Sequence, residues 1–204
     1  MKKGILGGTF DPIHNGHLYL AENAYREFGL DLVFLMPANV PYFKTVTGHV
    51  TDASLRLEMT KLAAGEKPFL RVSDFELMRE GNTYTAVTLE SLKALHPEDE
   101  LYFIMGADSL YKIEKWYKPE IIFSNAVILC AGRSDDAAEI SLDEKITQLK
   151  EKFSESKPDI RKMSCGNIDI SSTMIREMIS KGEDISSMVP RSVEKYILKK
   201  GLYR

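Results

Sequence analysis

Apolar and polar residues alternate along this chain in blocks whose period switches between strand and helix. Ile5-Leu6 runs into Gly7-Gly8 and predicts a short buried strand. Leu18, Ala21, Tyr25 and Phe28 then recur at helical spacing, and Gly29 is placed to end that helix. The continuous run Leu32-Val33-Phe34-Leu35-Met36, closed by Pro37, predicts a strand covered on both faces. Leu55, Met59 and Leu62 mark a second helix, which Gly65 ends. Phe69-Leu70-Arg71-Val72 predicts a third strand, and Thr85 to Leu95 a helix with Leu89 and Leu92 inward. Leu101 to Met105, ending at Gly106, and Ala126 to Cys130 predict a fourth and a fifth strand. Helices follow from about Leu142 to Phe153, from Ser171 to Ser180, and from near Pro190, a residue suited to a helix's first turn.

Strands alternating with helices imply right-handed parallel crossovers. The fold class expected is therefore α/β: a doubly wound, mostly parallel, Rossmann-like sheet with flanking helices and a C-terminal helical segment. At 204 residues the chain is expected to form a single domain over 1–204. In such sheets ligands bind beyond the carboxyl ends of the strands. The segments to watch are thus Gly7 to His17, Pro37 to Lys44, Asp74 to Thr85 and Gly106 to Trp116.

Composition narrows the classes of function. Apolar residues make up 44% and charged residues 28%, as in ordinary globular proteins, which excludes disorder and a collagen-like chain. No apolar run approaches the ~18 residues of a membrane span. Gly4 to Phe10 is too short and glycine-rich for a signal-peptide core, so the chain is expected in the cytoplasm with no membrane partner. The 27 basic against 30 acidic residues give a net charge of −3, which argues against a nucleic-acid partner. Cys130 and Cys165 lack metal-like spacing and are read as ordinary thiols in a reducing compartment. His49 and His96 lie outside the motifs and are read as surface residues.

The least ordinary string is Gly7-Gly8-Thr9-Phe10-Asp11-Pro12-Ile13-His14-Asn15-Gly16-His17, between the first strand and first helix. Two glycines let backbone N–H groups approach a phosphate without a Cβ in the way. His14 and His17, three apart, share one face of a first helical turn beside the positive end of the helix dipole. Gly16 between them leaves room for a flat adenine or a phosphate. H-x-G-H alone fits a glycine turn with two helix histidines equally well; the eleven-residue string after a strand is far more specific. The string matches neither the P-loop nor the G-x-G-x-x-G pattern. A second string, Ile170-Ser171-Ser172-Thr173-Met174-Ile175-Arg176, opens a helix with hydroxyl caps and sets Arg176 one turn in, within reach of an anion. By itself it also fits a plain helix cap with a solvated arginine.

Together these strings resemble the nucleotidyltransferase superfamily with H-x-G-H and I-S-S-T-x-I-R signatures. The chain looks most like the nicotinate-nucleotide adenylyltransferase family. That resemblance also takes in Asp74-Phe75-Glu76-Leu77, Arg79, Gly81, Tyr84-Thr85, Phe103 to Ser109, Trp116, Val189-Pro190, Tyr196-Ile197 and Leu202-Tyr203. Two departures stand out. A P-P-H-K pattern reads Pro41-Tyr42-Phe43-Lys44, which keeps the lysine and loses a histidine. A Y-T-x-D-T pattern reads Tyr84-Thr85-Ala86-Val87-Thr88, with Val87 in place of a carboxylate.

The resemblance implies that ATP and nicotinate mononucleotide are joined to nicotinate adenine dinucleotide with release of pyrophosphate. The attacking phosphate is already ionised, so the task is positioning and charge stabilisation rather than general-base chemistry. By resemblance His17 contacts the α-phosphoryl group, and His14 and Thr9 hold ATP phosphates. Lys44 and Arg176 hold phosphate charge, Arg176 and Ser172 at the β,γ side. Gly7, Gly8, Phe10, Gly106, Asp108, Thr173 and Ile175 complete the ATP site. Tyr84, Thr85, Asp108, Trp116 and Tyr117 meet the mononucleotide, with Trp116 stacked on the pyridine ring and N–H groups near Thr85 and Tyr117 on its carboxylate. Helix capping by Asp108 and core packing of Trp116 are the plainer alternatives. Mg²⁺ is expected as a cofactor bridging ATP phosphates, with no protein ligand named. Rival readings are another adenylyltransferase of the same fold, such as a phosphopantetheine adenylyltransferase, a nicotinamide-preferring enzyme, and a non-catalytic nucleotide sensor. The oligomeric state is left open, a homo-oligomer included.

Overall fold

The strand and helix boundaries follow the sequence periods closely in a computed structural model that describes residues 1–41, 50–65, 67–79, 81–132, 140–165 and 169–204. In chain order the elements are β1 (Lys2–Gly8), α1 (Asn15–Phe28), β2 (Leu32–Pro37), β3 (Val40–Pro41), α2 (Ala53–Ala64), β4 (Leu70–Val72), β5 (Asn82–Thr83), α3 (Thr85–Leu95), β6 (Glu100–Gly106), α4 (Ala107–Lys112), α5 (Pro119–Asn125), β7 (Val127–Ala131), α6 (Leu142–Lys152), β8 (Ile160–Met163), α7 (Ser172–Ser180) and α8 (Arg191–Lys200). Among the described residues the main sheet has strand order β4-β2-β1-β6-β7-β8. The order runs outward from β1 in one direction and outward from β6 in the other, as in a doubly wound sheet. The pairs β1/β6, β6/β7 and β7/β8 are parallel.

Backbone contacts divide the chain into two compact units: Met1–Leu6, Leu20–Val33 and Tyr84–Asn167 in one, Gly7–Tyr19, Phe34–Thr83 and Ile168–Arg204 in the other. In the first unit Ile5, Leu101 to Met105 and Ile128 to Cys130 are buried strand residues, and Leu89, Leu110, Ile113, Ile122 and Leu149 are buried helix or turn residues. Asp99 ties this unit's first residues down through ion pairs with the Met1 amino group and Lys3. In the second unit Phe10, Ile13, Leu35, Met36, Met59, Ile175, Val193 and Ile197 are buried. Here Val40–Pro41 and Asn82–Thr83 form a separate two-residue parallel pair.

The helix marked by Leu55, Met59 and Leu62 forms as α2 and ends at Gly65, with Met59 on its buried face. Arg56, Met59, Thr60, Ala63 and Ala64 are buried, and Leu62 is exposed. α8 begins next to Pro190, as expected, with Pro190 at its cap position. The periodicity missed β3, β5, α4, α5 and the edge strand β8, whose Ile-Arg-Lys-Met sequence buries only its two ends. As expected, Leu89 is buried and His96 is exposed at the end of α3, whereas Leu92, also expected inward, is half-buried.

Candidate active site

The glycine-rich loop and the late signature meet within the second unit. Phe10 holds a left-handed backbone (φ 51°) and is 1% exposed. A side chain at Gly8 would place its Cβ 2.7 Å from the Phe10 ring, so that ring is the reason for a glycine at this position. His14 precedes α1 as its cap, and its carbonyl accepts from the His17 and Leu18 N–H groups at 3.0 and 3.3 Å. The two imidazoles stack with centroids 3.7 Å apart, and Phe10 meets His17 edge-on at 4.9 Å. The His14 N–H donates to His17 Nδ1 at 3.2 Å. A nitrogen that accepts leaves the other ring nitrogen as the proton carrier in the neutral imidazole. His17 is thereby set up as a donor through Nε2.

The space beside Gly16 has a close protein neighbour. An added Cβ there would lie 3.0 Å from His14 Nδ1 and 3.1 Å from its Cε1. The glycine accommodates the neighbouring histidine, a ring that is itself buried.

At the start of α7 the three hydroxyls divide their work. Ser171 caps the helix, its Oγ accepting from the Met174 N–H at 3.1 Å. The Ser172 hydroxyl donates to the Pro12 carbonyl at 2.9 Å. Thr173 Oγ1 accepts from Arg176 Nη2 at 3.2 Å, while Arg176 Nη1 donates to the Asp11 carbonyl at 2.8 Å. A guanidinium has five N–H donors, so these two bonds do not exhaust it. Ile175 is fully buried and anchors the helix. Arg176 is half-buried beside the positive end of α7, where an anion is favoured.

Sequence reasoning missed Arg56. Its guanidinium, on a side chain 1% exposed, donates to the carbonyls of Thr9 (2.6 Å), Ala38 (2.8 Å), Asn39 (3.1 Å) and Thr51 (2.8 Å). It binds the loop after β1 to the loop after β2. Burial disfavours its charge, and the nearby Asp11 carboxylate favours it. The available signal was a lone arginine at the spacing of Met59, Thr60 and Ala63. Lys44 lies outside the described residues, as do Tyr42, Phe43 and His49.

The other candidate residues gather within the first unit. Tyr84 and Tyr117 stack at 4.6 Å, and half-buried Trp116 meets Phe103 edge-on at 6.3 Å. Trp116 is therefore packed on one edge rather than enclosed in the core. It follows the single-turn helix Ile113–Lys115, in which Glu114 pairs with Lys145 and, at 2.8 Å, with Lys152. Those lysines come from α6, so a charge cluster fixes the turn that presents Trp116. Thr85 is the first residue of α3, whose cap, Tyr84, offers no side-chain acceptor. The first N–H groups of a helix have no intrahelical acceptor and suit an anion.

Gly106 caps α4, and an added Cβ would meet nothing within 4 Å. Protein packing does not require glycine there. Asp108 is exposed in the first turn of α4 and is not its cap, so helix capping does not account for it. The buried Cys130 thiol is pushed up to about 12 and Cys165 is raised, both chiefly by burial; such thiols stay protonated at neutral pH. Among the described residues no helix is long and apolar enough to cross a membrane.

The Cytidylyltransferase-like family model matches residues 5–178. A protein of Lachnoclostridium phytofermentans named "Probable nicotinate-nucleotide adenylyltransferase" is 42% identical, covering 99% of this chain and 98% of its own. One of Dehalococcoides mccartyi with the same name is 39% identical over 100% of this chain and 97% of its own. A solved structure titled as Plasmodium falciparum nicotinic acid mononucleotide adenylyltransferase complexed with NaAD shares the fold, with TM-score 0.77, 20% identity and coverage of 99% and 97%. With full-length relatives at this identity, and with both signatures folded as described, the chain belongs to the nicotinate-nucleotide adenylyltransferase family.

Proposed function

We propose that this chain transfers the adenylyl group of ATP to nicotinate mononucleotide, forming nicotinate adenine dinucleotide and pyrophosphate as a step of NAD biosynthesis in the cytoplasm. The observation that carries the reading is the stacked His14–His17 pair, braced by Phe10, in the same unit as Arg176 on the start of α7. In this reading the mononucleotide phosphate attacks the α-phosphorus in line, the bond from that phosphorus to the α,β-bridging oxygen breaks, and pyrophosphate leaves. No covalent enzyme intermediate is needed, and no nucleophile–base pair is called for. His17 Nε2 donates to the α-phosphoryl oxygens as charge builds there, where a pre-positioned donor acts most strongly. His14, Thr9 and the Gly7-Gly8 backbone hold phosphates; Thr173, Arg176 and the Ser172 N–H at the start of α7 hold the leaving side, the Ser172 hydroxyl being spent on Pro12. Lys44 adds a further cation.

Mg²⁺ would supply charge neutralisation on the phosphate oxygens. Among the described residues no three His, Cys, Asp or Glu side chains gather as metal ligands. Mg²⁺ keeps several waters and is held largely through substrate phosphates, so it would arrive on the nucleotide. Trp116 and the Tyr84/Tyr117 pair form the aromatic surface for the pyridine ring, with Thr85 N–H at its carboxylate. Gly106 and Asp108 then take nucleotide, Asp108 through a ribose hydroxyl.

The test is pyrophosphate release with ATP and a panel of acceptors: nicotinate mononucleotide, nicotinamide mononucleotide and phosphopantetheine. The reading requires turnover on the first, with the dinucleotide identified by mass. Turnover only on phosphopantetheine would move the chain to another branch. ATP binding without turnover on any acceptor would make it a nucleotide sensor.

A further inference from the structure

Tyr203 has no role in the reaction as proposed, yet its hydroxyl reaches the centre of the phosphate-binding loop. We propose that Tyr203 is a positioning residue for ATP, acting through Asp11 on the orientation of Arg176. This rests on the reading that Arg176 meets the ATP phosphates.

Asp11 is engaged at three points. Its Oδ1 accepts from the Tyr203 hydroxyl at 2.6 Å, and its Oδ2 accepts from the Thr51 N–H at 3.2 Å. Its backbone carbonyl accepts from Arg176 Nη1 at 2.8 Å. Asp11 is 4% exposed, so protein donors, with the Arg56 charge nearby, set the orientation of its carboxylate. The loop needs such bracing. Phe10, immediately before it, holds a left-handed backbone that a non-glycine residue keeps only when its surroundings impose it. Arg56 pins Thr9 on one side of Phe10, and the Tyr203–Asp11 bond pins the other.

The guanidinium of Arg176 is aimed by two acceptors. One, Thr173 Oγ1, is on its own helix; the other, the Asp11 carbonyl, is on the loop. The second is only as fixed as Asp11 itself. The chain delivers Tyr203 to this place by ending α8 at Gly201, with the Leu202 N–H donating to the Ile197 carbonyl at 3.1 Å. A role limited to fastening the chain beyond α8 would affect stability alone. Positioning of Arg176 predicts an effect on ATP that depends on Arg176 being present.

The experiment is a double-mutant cycle with Tyr203→Phe, which keeps the ring and deletes the hydroxyl, and Arg176→Ala. ATP and AMP affinities, KM for nicotinate mononucleotide, and Tm are measured on all four proteins. Tyr203→Phe should weaken ATP about three- to tenfold, the usual scale for a residue acting through another. AMP affinity and KM for the mononucleotide should change by less than about twofold. In the Arg176→Ala background the same substitution should add almost nothing to the loss of ATP affinity, as coupled groups do. An equal loss in both backgrounds, or a lowered Tm with unchanged ATP affinity, overturns the proposal. If Arg176→Ala itself leaves ATP affinity at the wild-type value, the reading of Arg176 falls and takes this proposal with it. If Arg176→Ala weakens ATP and Tyr203→Phe does not, only the proposal falls.

Discussion

Replacing Gly16 with alanine tests the histidine pair without removing either histidine. The new Cβ would sit 3.0 Å from His14 Nδ1 and 3.1 Å from Cε1, where ordinary contact begins at 3.4 Å. The His14 ring must therefore give by about 0.4 Å, the difference between 3.0 and 3.4 Å. It has little room to do so, because it is 6% exposed and faces the His17 ring at 3.7 Å. Movement passes to His17, whose Nδ1 is also tied to the His14 N–H. Stability is set by two opposed effects. Alanine gains roughly 0.5–1 kcal/mol over glycine in a helix, and the crowding costs about 1–3 kcal/mol, so the net loss is about 0–2.5 kcal/mol. Catalysis is more exposed to the displacement. A misplacement of about 1 Å can cost on the order of 10²-fold, so one of about 0.4 Å should cost roughly tenfold. The assay is single-turnover dinucleotide formation with saturating ATP and Mg²⁺, beside a thermal melt. A melting temperature near wild type with a single-turnover rate within about twofold of wild type would refute the claim that this geometry is catalytic.

The remaining predictions are more direct. His17→Ala should cut single-turnover rates by about 10²–10³-fold while leaving the melt intact, the usual effect of losing one transition-state donor; a rate within about threefold of wild type would remove His17 from the α-phosphoryl group. Trp116→Ala should raise KM for nicotinate and nicotinamide mononucleotides alike, because stacking reads the ring and not its substituent; a change confined to one of them would place Trp116 at the substituent instead. Glu114 is held below the usual glutamate range, first by Lys145 and then by Lys152. A lowered folded pKa adds stability that is complete above the unfolded value, near 4.3, and is lost as pH falls through the folded one. The melting-temperature gap between wild type and Glu114→Gln should therefore be widest near neutral pH and shrink through the acid range; a gap independent of pH would contradict this.

Element types were legible where a single period held over many residues. Thr85 to Leu95 and the run from Leu32 folded with the bounds their apolar spacing gives, because burial on one helix face or on both strand faces leaves one consistent arrangement. Strands of two residues, Val40–Pro41 and Asn82–Thr83, carry no period at all. β8 hides because an edge strand with two exposed charges between its ends does not read as apolar. In α2 the apolar spacing marks the helix and Met59 but not the buried arginine. Arg56 is buried because four backbone carbonyls need its donors, a demand that arises only in the fold. The same holds at the site. Gly7 to His17 and Ser171 to Arg176 were legible as the two unusual strings, and the fold brings them together in one unit. The reason for Gly16, the division of labour among Ser171, Ser172 and Thr173, and the Tyr203–Asp11 bond depend on residues brought together over long stretches of chain.

The central claim is that this site adenylates the nicotinate mononucleotide, and the most direct measurement is kcat/KM for nicotinate against nicotinamide mononucleotide at saturating ATP and Mg²⁺. The two acceptors differ only in a carboxylate against a carboxamide. N–H donors at the start of α3 and near Tyr117 suit the two acceptor oxygens of the anion, whereas a carboxamide turns its NH₂ toward a donor. A hydrogen bond to a charged group contributes roughly 1.5–3 kcal/mol, and a buried donor left unpaired costs about 1–3 kcal/mol more. At ~1.4 kcal/mol per decade the account predicts a preference for nicotinate of about two to four decades. A ratio below about ten, or one favouring the amide, would contradict it.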